Sequence, residues 1–315
     1  MKNMDPKPAT PKLTVIEMDP VRLGEAIKSD FGIVLTAVEK TAKGYQSEVY
    51  RAKTTEGRMV FIRINKKGVA FEVESLGYKM LREESIPVPQ VISYQENPPT
   101  IGHPTMIIEA AEGVSLEETN LSETEKEKIY QSWGEILRRI NEIKLEGFGT
   151  LEVVDGKLRG KYKSYEEYCH SQENNYNEVV NTLVKNNLIT PEEAEKLHRI
   201  IKEINSLNFG QASLLHRDLK KEHIFINHGK ITGIIDLGRL QAGDPRNDIA
   251  KSLLYQNNKE KDFFKKGYGK LADDPIVIKY LAVRATTVAL PRTKEGHKEV
   301  AEKALEILKK ILSEF

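Results

Sequence analysis

Cysteine is almost absent from this chain. Of 315 residues only Cys169 carries a thiol, so no intrachain disulfide can form and a reducing compartment is expected. Net charge is nearly absent as well. Forty-eight Lys and Arg stand against forty-seven Asp and Glu, a formal +1, without the basic excess of a nucleic-acid scaffold. Long apolar runs are missing too: the best candidate, YLAVRATTVAL, is short and carries Arg284, whereas a bilayer span needs about 20 residues. The amino-terminal MKNMDPKPATPKLTV lacks the apolar core of a signal peptide. A soluble cytoplasmic protein, with neither nucleic acid nor membrane as partner, is the expectation. No internal repeat or low-complexity tract is visible.

What is present suffices for two lobes, since 39% of the residues are hydrophobic. Residues 1–12 are polar, hold three prolines and read as a mobile tail. From about 20 to 110 the texture is strand-rich. EVYRAKT and MVFIRI flank the turn-like TEGR as a hairpin, FEVESLGYKMLREE reads as a helix, and PVPQVISY and PTMIIEA read as extended. From about 113 onward the texture is helical. SETE at 122–125 and SYEE at 164–167 are capping boxes, and TPEE at 190–193 adds proline at the first helical position. EVAEKALEILKKILSEF is an amphipathic closing helix. The expected domains are the tail at 1–12, an amino-terminal lobe at 13–110 and a carboxy-terminal lobe at 111–315.

The chemistry concentrates in LLHRDLKKEHIFINHGKITGIIDLG, residues 214–238. IFI and ITGII flank a turn at Asn227-His228-Gly229, so the ends of this hairpin lie side by side. Asp218, His223 and Asp236 then converge at one edge. Converging carboxylates repel one another, and such a cluster persists where a cation or a proton-transfer task holds it. Phosphoryl transfer needs a carboxylate for the attacking hydroxyl, metal ligands, and a cation with a loop on the phosphate tail.

These segments resemble the aminoglycoside phosphotransferase family, a protein-kinase-like group that includes macrolide, choline and homoserine kinases. The resemblance rests on HRDLKKEH, GIIDLGRLQAGDP and NDIA. It implies an α+β, two-lobed protein-kinase-like fold: a small antiparallel sheet plus helix, then a larger, mainly helical lobe carrying the catalytic-loop hairpin. It further implies Asp218 as catalytic base, Asp236 as principal Mg2+ ligand, His223 at the second metal position, and His216 and Asp248 as structural supports of the loop. Most relatives carry Asn where His223 stands, and Mg2+ prefers oxygen ligands. His223 is therefore a direct ligand, a water-mediated one, an orienter of Asp218, or a sign of a softer ion such as Mn2+.

Upstream, KGYQSEVY resembles the loop over the ATP phosphates, with Gly44, Tyr45, Gln46 and Ser47 as nucleotide contacts. Arg63 stands at the strand-lysine position, Glu74 at its helix partner, and Glu109 to Ala111 at the adenine edge. Trp133 reads as core, Cys169 as a mid-helix residue without chemistry, and Asp244 as a turn residue before Pro245.

The donor implied is ATP or GTP, and the acceptor a hydroxyl on an aminoglycoside-like or other small molecule. Residues 164–203 carry eight Glu against four Lys and Arg, a bias that would suit a polycation, whereas 259–310 lean basic. The resemblance covers both antibiotic-resistance enzymes and metabolic kinases. Two further classes stand beside it: a nucleotide-binding pseudokinase or regulator, and a kinase of lipopolysaccharide sugar or of protein.

Overall fold

Asp19 opens the first helix by accepting the N–H groups of Val21 and Arg22 on one carboxylate oxygen, both at 3.0 Å. Pro20 takes the first helical position, where its missing N–H costs nothing. This helix, α1 (Pro20–Phe31), stands in a stretch whose texture suggested strands, and it ends at Gly32 with φ +69°. The computed structural model describes residues 18–41, 47–208, 210–294 and 298–315, with side chains of 291–294 excepted. The expected tail at 1–12 and Gly44, Tyr45 and Gln46 lie outside the described residues.

After α1 come β1 (Leu35–Lys40), β2 (Glu48–Thr54), β3 (Met59–Ile64), α2 (Glu72–Glu83), β4 (Val91–Gln95) and β5 (Thr105–Glu109). Then follow β6 (Val114–Ser115), α3 (Glu123–Glu142), β7 (Lys144–Leu145), β8 (Phe148–Val154), β9 (Lys157–Tyr162), α4 (Tyr165–Lys185) and α5 (Pro191–Asn205). The chain closes with β10 (Ala212–Leu215), β11 (Ile224–Asn227), β12 (Lys230–Ile234), β13 (Gln241–Gly243), α6 (Pro245–Leu253), α7 (Asn258–Tyr268), α8 (Pro275–Lys294) and α9 (Lys298–Ser313).

Two compact units result. The first holds residues up to Phe71 together with Ile92–Glu109. Its sheet runs β1-β2-β3-β5-β4, and alternate residues Val60, Ile62 and Ile64 of β3 are buried with Leu23, Ala26 and Ile27 of α1. Arg63, in the opposite phase of β3, puts its guanidinium carbon 5.1 Å from the centroid of the Phe71 ring.

The second unit holds Glu72–Val91 and everything from Ala110. Helix α2 thus groups with it, whereas the sequence put all of 13–110 in one lobe. The packing explains the difference: a Cβ at Gly77 would overlap Leu240, so α2 lies directly on the segment after β12. This unit is also less purely helical than its sequence texture. It contains a five-stranded sheet, β7-β10-β13-β8-β9, and a three-stranded one, β12-β11-β6. Strands β8 and β9 join through Asp155-Gly156, at φ +50° and +71°, the Asp-Gly signature of a tight hairpin. Of the expected capping boxes, those at Ser122 and Thr190 are complete. Ser164 caps α4, but the Glu167 carboxylate accepts from the Lys163 N–H instead of closing the box.

The core of the second unit includes an aromatic cluster: Trp133 is fully buried between Tyr130 and Phe264, with ring centroids at 5.5 and 5.8 Å. Helices α3 and α7 approach so closely there that Cβ atoms at Gly134 and Gly267 would overlap the carbonyl oxygens of Phe264 and Gln131. No helix of the described residues is long and apolar enough to cross a membrane. Gly134→Ala should force α3 and α7 apart and lower the urea midpoint by roughly 1–3 kcal/mol of stability, with little change in the denaturant slope. An unchanged midpoint would show that the crossing is not backbone-tight.

Candidate active site

The site is built on a loop between β10 and β11. All four residues of β10 are buried, and at its end the His216 and Arg217 N–H groups both donate to the Asp248 carboxylate, each at 2.7 Å. Asp248 is only 2% exposed. It receives a third donor, the Asn141 side-chain amide, at 3.2 Å. Asn141 also donates to the Leu214 carbonyl and accepts from the Tyr268 hydroxyl, both at 2.9 Å. The buried charge is thus surrounded by oriented donors, which such a charge requires. The clamp holds Arg217 at φ +71°, a left-handed backbone that side-chain-bearing residues rarely adopt and that concentrates at functional sites.

Asp218 follows, 15% exposed at its side chain and 3.2 Å from Lys251 Nζ. Lys251 sits on α6 three residues beyond Asp248, on the same helix face. Arg239 Nε lies 4.0 Å from the other carboxylate oxygen. Burial pushes the Asp218 carboxyl upward, but Lys251, His223, Lys220 and Arg239 outweigh it and hold the group below the ordinary carboxylate range. Asp218 is therefore an ionised acceptor at neutral pH. Nothing in the sequence marked Lys251 or Arg239; only the return of α6 and of the 237–240 segment brings them here.

The loop then makes a short helical turn at Lys221–His223 and enters β11. Strands β11 and β12 pair from Ile224↔Ile234 to Asn227↔Lys230, turning through His228 and Gly229 at φ +48° and +71°. A Cβ at Gly233 would meet that of Ala111 at 2.7 Å, so β12 has no room for a side chain there. Beyond the hairpin Asp236 adopts φ +65°, and its N–H donates to the Tyr78 hydroxyl of α2 at 3.1 Å. Glu74, on the same helix and 5% exposed, brings its carboxylate near Gly238, 3.4 Å from where a Cβ would stand.

Asp218, His223 and Asp236 do converge, each offering one ligand atom within 4.8 Å of the others. His223 Nδ1 lies 2.7 Å from the Asp218 carbonyl oxygen. A carbonyl only accepts, so Nδ1 carries the hydrogen and Nε2 is left to face Asp236 Oδ2 at 3.5 Å. Two lone-pair-bearing atoms facing each other at that distance call for a proton or a cation between them. A backbone carbonyl on Nδ1–H is also the usual support of a metal-binding imidazole. The donor set, two carboxylates and one oriented imidazole, therefore fits a divalent ion, with one nitrogen more than Mg2+ prefers.

His216 is fully buried, and its Nδ1 accepts the Asp218 N–H at 3.3 Å. Burial holds it below its ordinary value, against the pull of Asp248. Asp244 caps α6 by accepting the Arg246 N–H, and it also binds the Arg246 guanidinium and the Tyr280 hydroxyl. Among the nucleotide candidates, Ser47 precedes β2, Arg63 lies mid-β3 and Glu109 ends β5 in the first unit. Glu74 and Ala111 belong to the second.

Asp248→Ala should strand the two loop N–H groups and cost roughly 2–6 kcal/mol, since each unsatisfied buried donor costs about 1–3 kcal/mol. Urea unfolding measures it, and a loss below about 0.5 kcal/mol, the scale of surface substitutions, would contradict the clamp. His216 titrates below its unfolded value of 6.5. The unfolded chain therefore binds the proton first, and stability falls as pH drops below that value. The difference between wild type and His216→Asn, which keeps an acceptor but does not titrate, should show this slope in thermal melts between about pH 7.5 and 5.

Comparison with known proteins identifies the family. Residues 37–277 match the phosphotransferase enzyme family. An aminoglycoside 3'-phosphotransferase of Enterococcus faecalis is 28% identical over 186 residues, which is 58% of this chain and 65% of that protein. The chain thus spans slightly less than two thirds of that relative. A thermostable mutant of aminoglycoside phosphotransferase APH(4)-Ia, in ternary complex with AMP-PNP and hygromycin B, superposes with a TM-score of 0.71 at 17% identity, over 92% of this chain and 97% of that one. The macrolide 2'-phosphotransferase MphH of Brachybacterium faecium does so with a TM-score of 0.61 at 14% identity, over 91% and 97%. These likenesses establish the kinase-like α+β fold, and the extent of the family match establishes the rest: the chain belongs to the phosphotransferase enzyme family.

Proposed function

We propose that this chain transfers the γ-phosphate of ATP or GTP to a hydroxyl of a small molecule, with Asp218 as base and Asp236 and His223 holding Mg2+. The observation that carries this reading is the convergence of those three side chains, with the His223 lone pair aimed at Asp236. The acceptor is a hydroxylated small molecule, a class that includes the aminoglycosides for which the Enterococcus faecalis relative is named.

The chemistry follows from the electrostatics. Lys251 at 3.2 Å and the Asp248 clamp fix an ionised Asp218 in one orientation. The acceptor hydroxyl gives its proton to Asp218 as its oxygen bonds to the γ-phosphorus, and the nucleoside diphosphate leaves. Asp236 and His223 would hold a divalent ion, which would neutralise phosphate charge. Ser47, Arg63, Glu74, Glu109 and Ala111, with Gly44, Tyr45 and Gln46, are the proposed nucleotide contacts. His216 and Asp248 support the loop.

Asp218→Asn should lower turnover about 10²–10⁴-fold, the usual worth of a positioned base, and leave Mg2+-dependent nucleotide binding intact. The readout is nucleotide consumption across aminoglycosides, macrolides, choline, homoserine and sugars; wild-type turnover by Asp218→Asn would sink the base assignment. His223 predicts a metal effect as well. Replacing the imidazole with an oxygen donor, His223→Asn, should lower the ratio of Mn2+- to Mg2+-supported activity several-fold. An unchanged ratio in parallel metal titrations would remove His223 from the metal.

A further inference from the structure

Asp248 clamps the start of the loop between β10 and β11, and a second buried carboxylate meets that loop near its end. Glu260 stands in the first turn of α7 and is 6% exposed. Its Oε1 accepts the Tyr130 hydroxyl of α3 at 2.7 Å and Lys221 Nζ at 3.1 Å, while Oε2 accepts the Asn257 N–H at 2.9 Å. Lys221 also holds its ammonium 5.7 Å from the centroid of the Tyr130 ring. Burial pushes the Glu260 carboxyl upward, but those three donors outweigh it and hold the group below the ordinary carboxylate range. Glu260 is thus an anion whose partner from the loop is Lys221.

Lys221 begins the short helical turn Lys221–His223 that delivers the imidazole. None of the three residues of this turn is buried, so apolar packing cannot fix it. Polar tethers reach it from other elements: the Ser115 hydroxyl of β6 donates to the Lys221 carbonyl at 3.4 Å, and Glu260 takes the Lys221 ammonium. The second tether ties the turn to the α3–α7 crossing, where Gly134 and Gly267 let the two backbones touch.

We propose that Lys221 and Glu260 are positioning residues for the metal: their ion pair holds the Lys221–His223 turn so that the imidazole stays aimed at Asp236. The inference rests on the metal reading above and extends it from the ligands to what holds them. An ion pair withdrawn from water adds little to stability, because lost hydration offsets its attraction; what this one supplies is fixed geometry. Groups that orient a ligating imidazole are commonly worth about 10–100-fold in metal affinity.

The test is Mn2+ binding by the full-length protein carrying AMP-PNP, with free ion and imidazole nitrogen on the bound ion both read by electron paramagnetic resonance. Wild type should show the nitrogen, and His223→Asn should lose it. Lys221→Met/Glu260→Gln removes the pair without leaving a buried charge, so it should melt close to wild type. It should nevertheless bind Mn2+ about 10-fold or more weakly. Glu260→Gln alone should weaken binding in the same direction, since the Lys221 side chain, 25% exposed, can then turn to water. Lys221→Arg, which keeps a cation, should recover most of the affinity. On a His223→Asn background the double change should add no further loss, because residues that act through one group are not additive. Wild-type Mn2+ affinity in the double variant, or an undiminished loss on the His223→Asn background, would overturn the clamp and leave the metal site standing. Absence of imidazole nitrogen from the wild-type spectrum would instead overturn the metal role of His223, and the clamp with it.

Discussion

Three N–H groups donating to one buried carboxylate hold the rest of the site in place. Asp248 lies where an ion would ordinarily cost several kcal/mol, and it is tolerated because His216, Arg217 and Asn141 all point at it. The interaction joins β10, α3 and α6, and through the Tyr268 hydroxyl it reaches α7. Arg217 is kept left-handed by it, Asp218 follows from Arg217, and Lys251 reaches Asp218 because it shares a helix face with Asp248. A single buried charge thereby sets both the backbone of the loop and the electrostatic surroundings of Asp218.

The second constraint is electrostatic balance. Asp218 and Asp236 stand close together, and the molecule offsets their repulsion with Lys251, Arg239 and the His223 imidazole. Asp236 adopts a left-handed backbone and is held there by the Tyr78 hydroxyl. Two side-chain-bearing residues in this conformation bracket the hairpin, one at each end. The β11–β12 pair, with a left-handed residue at each end, holds these charges in a fixed arrangement of the kind the proposed phosphoryl transfer would use.

Much of this was legible in one dimension because it is local. The hairpin at 224–234, its turn at His228-Gly229, strands β2 to β5 of the first sheet and the caps at Ser122 and Thr190 follow from turn chemistry and side-chain period, whereas β1 was not marked. Other local signals were present and outweighed. Asp155-Gly156 marked a hairpin within a stretch whose texture is helical, and Asp19-Pro20 marked a helix within one that is strand-rich. At Ser164 the box pattern was right in composition, but Glu167 found the Lys163 N–H instead. Side-chain torsions decide between such neighbouring donors, and residue identities do not encode them.

By itself the sequence determined the order of the pieces and the convergence of Asp218, His223 and Asp236, since a two-stranded hairpin of fixed length returns its ends to one place. Only the tertiary structure decided what surrounds them. Lys251 arrives from a helix that begins at Pro245, well beyond the loop, and α2 joins the second unit because Gly77 admits Leu240. Charges of this kind are common on any surface. Which of them end beside a buried carboxylate depends on long-range packing that residue spacing does not record.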